Sequence, residues 1–163
     1  MKDVFEIAVC DDSSFDRFVI SEMIDGYFKD KSFLYHVTEY CNEVTLIDDI
    51  EESNRYDIIF LDIYLNSLLG IEVAKKLRSG GYNGKIVFLT ASDKYAVESY
   101  DVDAAGYLLK PHNYEKFCNV MDRILIGRRK NTIIVKKRSS VEYISYDNIR
   151  YIESSNTKCL IHC

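Results

Sequence analysis

Three aspartates, a threonine and a lysine stand at the ends of apolar runs along this chain, a pattern suited to phosphoryl chemistry. Asp11 and Asp12 follow Phe5–Cys10, Asp62 follows Ile58–Leu61, Thr90 follows Ile86–Leu89, and Lys110 follows Tyr107–Leu109. Crowded carboxylates repel one another, and a hard divalent cation with oxygen ligands relieves that repulsion. Mg²⁺ is the expected ion, because it binds through one or two carboxylates, keeps several waters and accepts phosphate oxygens. A carboxylate beside it can act as nucleophile to phosphorus and form an aspartyl phosphate. Such a reaction needs positioning and charge neutralisation more than a strong base. Lys110 supplies positive charge to the equatorial phosphoryl oxygens, and the Thr90 hydroxyl donates to one of them. An acid after a strand usually only caps a helix, which Asp12 can also do. The joint occurrence at four strand ends carries the functional reading.

Such scattered residues meet only if the elements between them place the strand ends together. Phe5–Cys10 reads as a strand, followed by a helix with Ser13 as N-cap and Asp16 three residues on in a capping-box pattern. Within that helix Phe15, Phe18, Val19, Met23 and Ile24 fall at helical spacing. Phe33–Val37 is a second strand, and Asn42 caps a helix carrying Leu46, Ile47 and Ile50. Ile58–Leu61 and Ile86–Leu89 are short continuous apolar runs, the mark of strands buried on both faces. Gly70–Leu77 begins a third helix that Ser79-Gly80-Gly81 stops. Asp93–Val102 is expected to be a fourth helix, Tyr107–Leu109 a fifth strand. The last helix follows Asn113, with Phe117, Val120, Met121, Ile124 and Leu125 on its apolar face. Alternation of this kind gives an α/β fold, a doubly wound five-stranded parallel sheet of flavodoxin-like order 2-1-3-4-5. In an open parallel sheet ligands bind at the carboxyl ends of the strands, at the switch point between strands 1 and 3. That order brings Asp11, Asp12 and Asp62 together, with Thr90 and Lys110 beside them.

The 163 residues suit one domain and part of a second. No apolar run exceeds four residues, no secretory signal opens the chain, and five cysteines without regular spacing point to a reducing compartment. A cytoplasmic protein is expected. Residues 1–122 hold 12 Lys and Arg against 23 Asp and Glu, whereas residues 123–163 hold 9 against 3. An acidic body with a basic tail implies two units with different partners, and basic tails often face nucleic acid. Residues 1–126 form the first unit and 127–130 (GRRK) a charged joint. From 131 to 163 short period-two strands follow: Ile133–Lys137, Val141–Ile144, Ile149–Ile152 and Lys158–His162, with Ser139-Ser140 and Ser154–Thr157 turning between them. This all-β segment is too short for a comfortable core of its own and reads as a truncated or unusually small domain. A metal reading of Cys159, His162 and Cys163 fails, since on a strand the cysteines lie about 13 Å apart with His162 on the other face.

Residues 4–125 resemble the receiver domain of two-component response regulators. The resemblance rests on VCDD (9–12), IIFLDIYLNSLLGIE (58–72), VFLTAS (87–92) and GYLLKP (106–111), with Gly70 eight residues past Asp62. It implies that Asp62 is the phosphoacceptor and that a phosphohistidine on a sensor histidine kinase is the donor. Asp12, Asp62 and the backbone carbonyl of Tyr64 would hold Mg²⁺, with Asp11 acting through water. Thr90 and Tyr107 would be the switch pair, and Lys110 the phosphate-binding lysine, aimed by a cis Lys110-Pro111 peptide. Where the family commonly has Met-Pro after the phosphoacceptor, this chain has Leu65-Asn66. Tyr64 and Ser92 would flank the phosphoryl group, and the bulk of Tyr64 suggests slow self-dephosphorylation. Once Thr90 moves toward a phosphoryl group, Tyr107 can rotate inward. The face of the fourth helix, fifth strand and fifth helix would then support a homodimer, with Tyr95 and Tyr100 as contacts or as plain helix packing.

The basic tail is similar to the opening of a LytTR-type DNA-binding domain, most closely at Asn148-Ile149-Arg150-Tyr151-Ile152-Glu153. It covers about a third of such a domain and lacks the later loops that read DNA. Arg128, Arg129, Lys130, Lys136, Lys137 and Arg138 can attract phosphates, but DNA binding by this segment alone is expected to be weak or absent. The expected function is a response regulator that drives a DNA-binding output and is no enzyme beyond phosphorylating and slowly dephosphorylating itself. An alternative is a receiver acting only as a phosphorylation-dependent protein-binding module. A haloacid dehalogenase-like hydrolase also uses Asp and Mg²⁺, but it needs a second Asp two residues after the nucleophile, where Tyr64 stands.

Overall fold

Continuous apolar runs become central strands, and their burial shows why. In this computed structural model β3 (Ile58–Asp62) is buried at every position, and β4 (Lys85–Thr90) at all but the first. The structure describes residues 4–31, 33–53, 55–129, 132–136, 141–145, 149–155 and 158–162. β1 (Val4–Cys10), β2 (Leu34–Tyr40) and β5 (Gly106–Leu109) complete a parallel sheet of order β2-β1-β3-β4-β5, as the alternation implied. β2 runs three residues beyond the expected Val37, because Thr38, Glu39 and Tyr40 pair with Ala8, Val9 and Cys10.

Helix caps follow the sequence. The Ser13 Oγ accepts from the Asp16 N–H (3.2 Å) at the start of α1 (Ser14–Phe28), and Asn42 Oδ1 accepts from Thr45 N–H (3.0 Å) at α2 (Glu43–Ser53). α3 (Gly70–Ser79) stops at Gly80, before Gly81 with φ 90°. Asn113 Oδ1 accepts from Lys116 N–H (2.9 Å) at α4 (Tyr114–Arg129), whose expected apolar face, Phe117 to Leu125, is buried. α4 continues through 127–129 of the segment read as a joint, while Lys130 lies outside the described residues.

The expected fourth helix over Asp93–Val102 is a correction. Only a 3₁₀ turn forms, at Glu98–Val102, and Asp103 ends it with φ 49°. Local side chains compete with helical bonding here. Ser92 Oγ accepts from Lys94 N–H (3.2 Å), and Ser99 Oγ donates to Ala96 O (2.6 Å). Tyr95 packs inward on the core, and Val97 is β-branched, so little holds a regular helix.

Away from the strand ends, Asp49 accepts from the hydroxyls of Tyr40 and Tyr56 (2.7 Å) and from Arg55 (2.9 Å). Its partial burial raises its pKa, but the tyrosine hydroxyls and Arg55 outweigh that and hold it below the ordinary 3.8. A depressed carboxylate contributes stability above its unfolded pKa and loses it as pH falls through its folded value. Asp49→Asn is therefore expected to flatten the acid limb of the stability profile below about pH 4, measured by urea unfolding across pH. An unchanged acid limb would refute this.

Residues to Val120 form one compact unit and residues from Met121 a second. The second holds two antiparallel hairpins, β6 (Thr132–Lys136) with β7 (Val141–Ser145) and β8 (Tyr151–Ser155) with β9 (Lys158–His162). β8 starts two residues later than Ile149, the expected start of the third short strand, because Tyr151 pairs with His162. Lys137, Arg138, Ser139, Ser140, Asn148, Asn156, Thr157 and Cys163 lie outside the described residues.

Candidate functional site

The sheet register puts the chemistry-bearing residues on one edge. Cys10 pairs with Leu61, Asp62 with Leu89 and Thr90 with Leu109, so Asp11 and Lys110 follow directly beside Asp62 and Thr90. Oxygens of Asp11, Asp12 and Asp62 all lie within 4.8 Å of one another; Asp11 and Asp62 are buried and Asp12 is exposed. The Lys110 ammonium crosses 99 residues of sequence to reach Asp11 Oδ2 at 2.7 Å and donates to Asp62 Oδ2 at 3.2 Å. Lys110-Pro111 is cis, as the resemblance implied.

Buried charge sets the electrostatics. Burial pushes the Asp11 carboxyl up, and Asp62 adds to that, while the Lys110 ammonium and the Ser13 N–H pull it down; the net shift is upward. Burial alone would lower Lys110, but its hydrogen bonds to Asp11 and Asp16 and the charge of Asp62 raise it above the usual lysine range. Lys110 therefore stays charged at any physiological pH.

The loop after β3 is held tightly. Tyr64 N–H donates to Asp62 Oδ1 (3.2 Å), Gly70 N–H donates to Ile63 O (2.8 Å), and Tyr64 and Leu69 pair in a β-bridge that closes over residues 65–68. The Tyr64 ring is 43% exposed and meets Tyr95 edge-on, centroids 5.9 Å apart. Thr90 is fully buried; its Oγ1 accepts from Ser92 N–H (3.2 Å). Tyr107 packs against the core and its hydroxyl donates to Ser92 O (2.6 Å). Tyr95 packs on the core as the plainer alternative held, while Tyr100 is 83% exposed.

Two residues at the site escaped the sequence reading. Asp16, seen there only as part of a cap, accepts from Lys110 Nζ at 2.9 Å. Arg17 donates to the carbonyls of Asp11 (2.8 Å) and Asp12 (3.4 Å), and its Nε donates to Glu39 (3.1 Å), so it braces the acidic loop from α1. The only available signal was position: in the first turn of α1, a side chain can face back over the strand end.

A parallel sheet of this order, with acids, a threonine and a lysine at its carboxyl edge, defines a flavodoxin-like fold with an acidic site at the strand ends. The model of the response regulator receiver domain matches residues 7–122, and the chain belongs to that family. It is similar to the sensory transduction protein LytR of Staphylococcus epidermidis, 29% identical over 122 residues that cover 71% of this chain and 48% of that one. The sensory transduction protein LytT of Bacillus anthracis is 34% identical over 110 residues, 62% of this chain and 45% of that one. The chain thus spans less than half the length of these curated relatives. The response regulatory domain of protein mrkE from Klebsiella pneumoniae shares the fold at a TM-score of 0.68 and 21% identity, covering 77% of this chain and 99% of that one. Among the described residues no helix is long and apolar enough to cross a membrane.

Proposed function

We propose that this chain is the signal-receiving part of a cytoplasmic two-component response regulator, with Asp62 as its phosphoacceptor. The observation that carries this reading is the convergence of Asp11, Asp12 and Asp62 around the Lys110 ammonium at the carboxyl edge of the sheet. All the donors in that acidic group are carboxylate oxygens, and among the described residues one lysine opposes them, so the set fits a hard divalent ion. Asp12, Asp62 and the Tyr64 carbonyl would hold Mg²⁺, with Asp11 acting through water; bound there, it would neutralise charge on phosphoryl oxygens. The Asp62 carboxylate forms the new O–P bond as the P–N bond of a kinase phosphohistidine breaks, and the bonding electron pair leaves with the imidazole. The Lys110 ammonium and the Thr90 hydroxyl take the phosphoryl oxygens. Phosphorylation adds roughly −1.5 to −2 charges and strong acceptors, drawing Thr90 inward and fixing Tyr107 in its bond to Ser92. The changed face around β5 then supports a homodimer.

Residues 1–126 form the receiver, 127–130 the joint, and 131–163 the opening part of a LytTR-type DNA-binding domain through which transcription is regulated. Likeness to the LytR and LytT proteins and the hairpins of the second unit support this.

Incubation with acetyl phosphate and Mg²⁺ is expected to add one phosphoryl mass to the wild type and none to Asp62→Asn, read by intact mass spectrometry. A folded wild type that gains no mass would refute the reading. In the same sample, freed of donor, Tyr64 and Ser92 are expected to slow hydrolysis; a lifetime of seconds would remove Tyr64 as a shield.

A further inference from the structure

An ammonium has three N–H donors, and Lys110 spends all three on carboxylates: Asp11 at 2.7 Å, Asp16 at 2.9 Å and Asp62 at 3.2 Å. The longest of these bonds is the one to Asp62. Asp16 stands on the first turn of α1, outside the acidic group of Asp11, Asp12 and Asp62. We propose that Asp16 is a positioning residue that holds part of the Lys110 ammonium away from the phosphoryl site and so restrains phosphoryl uptake by Asp62. This rests on the reading of Asp62 as phosphoacceptor.

Three features of the geometry support a restraint. First, Asp16 and Asp62 touch the same nitrogen, so charge and donor capacity given to one are withheld from the other. Second, Lys110 is only 18% exposed and Asp16 26%, so solvent screens their ion pair less than it would a surface pair. Third, a phosphoryl group on Asp62 brings further negative charge beside the Asp16 carboxylate, whose backbone is held at the start of α1 by its N–H bond to Ser13 Oγ. The carboxylate of Asp16 adds to the negative field that attracts a divalent cation and opposes an anionic phosphodonor. Its removal therefore shifts these two affinities in opposite directions, which loss of packing alone cannot do.

The test uses the full chain as Asp16→Asn, which keeps an oxygen acceptor without the charge, and as Asp16→Ala, which removes both. Beryllofluoride, a phosphoryl mimic, is titrated at saturating Mg²⁺, and Mg²⁺ alone is titrated by calorimetry. Both variants are expected to bind beryllofluoride about tenfold more tightly, the scale of one partly screened charge, and to bind Mg²⁺ alone more weakly. Uptake from acetyl phosphate at saturating Mg²⁺ should quicken in the same order. Variants that bind the mimic no better than a wild type that does bind it would overturn the proposal while leaving Asp62 as phosphoacceptor. A folded wild type that binds neither the mimic nor phosphoryl would overturn both.

Discussion

Lys110→Met is expected to cut phosphoryl uptake by at least about 100-fold, the usual loss when one donor to a developing phosphoryl or oxyanion charge is removed, while Mg²⁺ still binds. Methionine keeps an unbranched apolar stem as far as Cε and lacks the ammonium. In the wild type that ammonium is the shared partner of Asp11, Asp16 and Asp62, and Asp11 is wholly buried. Removing it leaves a buried carboxylate facing two others. The folded state is expected to lose about 3 kcal/mol without divalent ion, as when one partner of a buried pair is deleted. Mg²⁺ should restore part of that loss, because it supplies positive charge to the same oxygens. Urea unfolding with and without Mg²⁺ measures the stability, and intact mass after brief exposure to acetyl phosphate measures uptake. Wild-type uptake in the variant would remove Lys110 from the chemistry. Equal stability with and without Mg²⁺ would remove the electrostatic account of the pocket.

The residues that could be found in sequence were those whose position in an element fixes their position in space. A carboxylate ending a strand of a parallel sheet must lie on its carboxyl edge, so Asp11, Asp12, Asp62, Thr90 and Lys110 were legible from periodicity alone. Asp16 was not, because its backbone part in the α1 cap accounts for an acid in a first turn and hides a second role for its side chain. Arg17 was missed for a related reason: it binds carbonyl oxygens, and backbone acceptors leave no mark on a sequence. The segment after β4 misled for a different reason. Tyr95 is used by the core and by Tyr64, and Ser99 turns back on Ala96, so tertiary and local bonds override a weak propensity. β2 grew beyond its apolar residues because β1 offers a paired edge as far as Cys10, whatever side chains β2 carries.

Gly70→Ala, at the start of α3 against the end of β3, is expected to be severely damaging. A Cβ built at Gly70 would lie 2.1 Å from the carbonyl oxygen of Asp62, 2.9 Å from the Ile63 Cα and 3.0 Å from the Asp62 carbonyl carbon. All three are backbone atoms, so no side chain can swing away to make room. Either α3 moves off the end of β3, breaking the 2.8 Å bond from Gly70 N–H to Ile63 O, or the peptide of Asp62 turns and takes its carboxylate out of reach of Lys110. Overpacking against a rigid backbone together with a lost buried hydrogen bond costs about 3 kcal/mol. Gly80→Ala is the control, since its Cβ would meet only ordinary contacts at 3.5 Å and its φ is −77°. It should leave stability unchanged or raise it by about 0.5 kcal/mol through the unfolded chain. The two variants separate in urea unfolding, and in phosphoryl uptake per folded molecule, which Gly70→Ala should lower and Gly80→Ala should not. If Gly70→Ala matched the wild type in both, the close approach of α3 to Asp62 would have no part in holding that carboxylate in place.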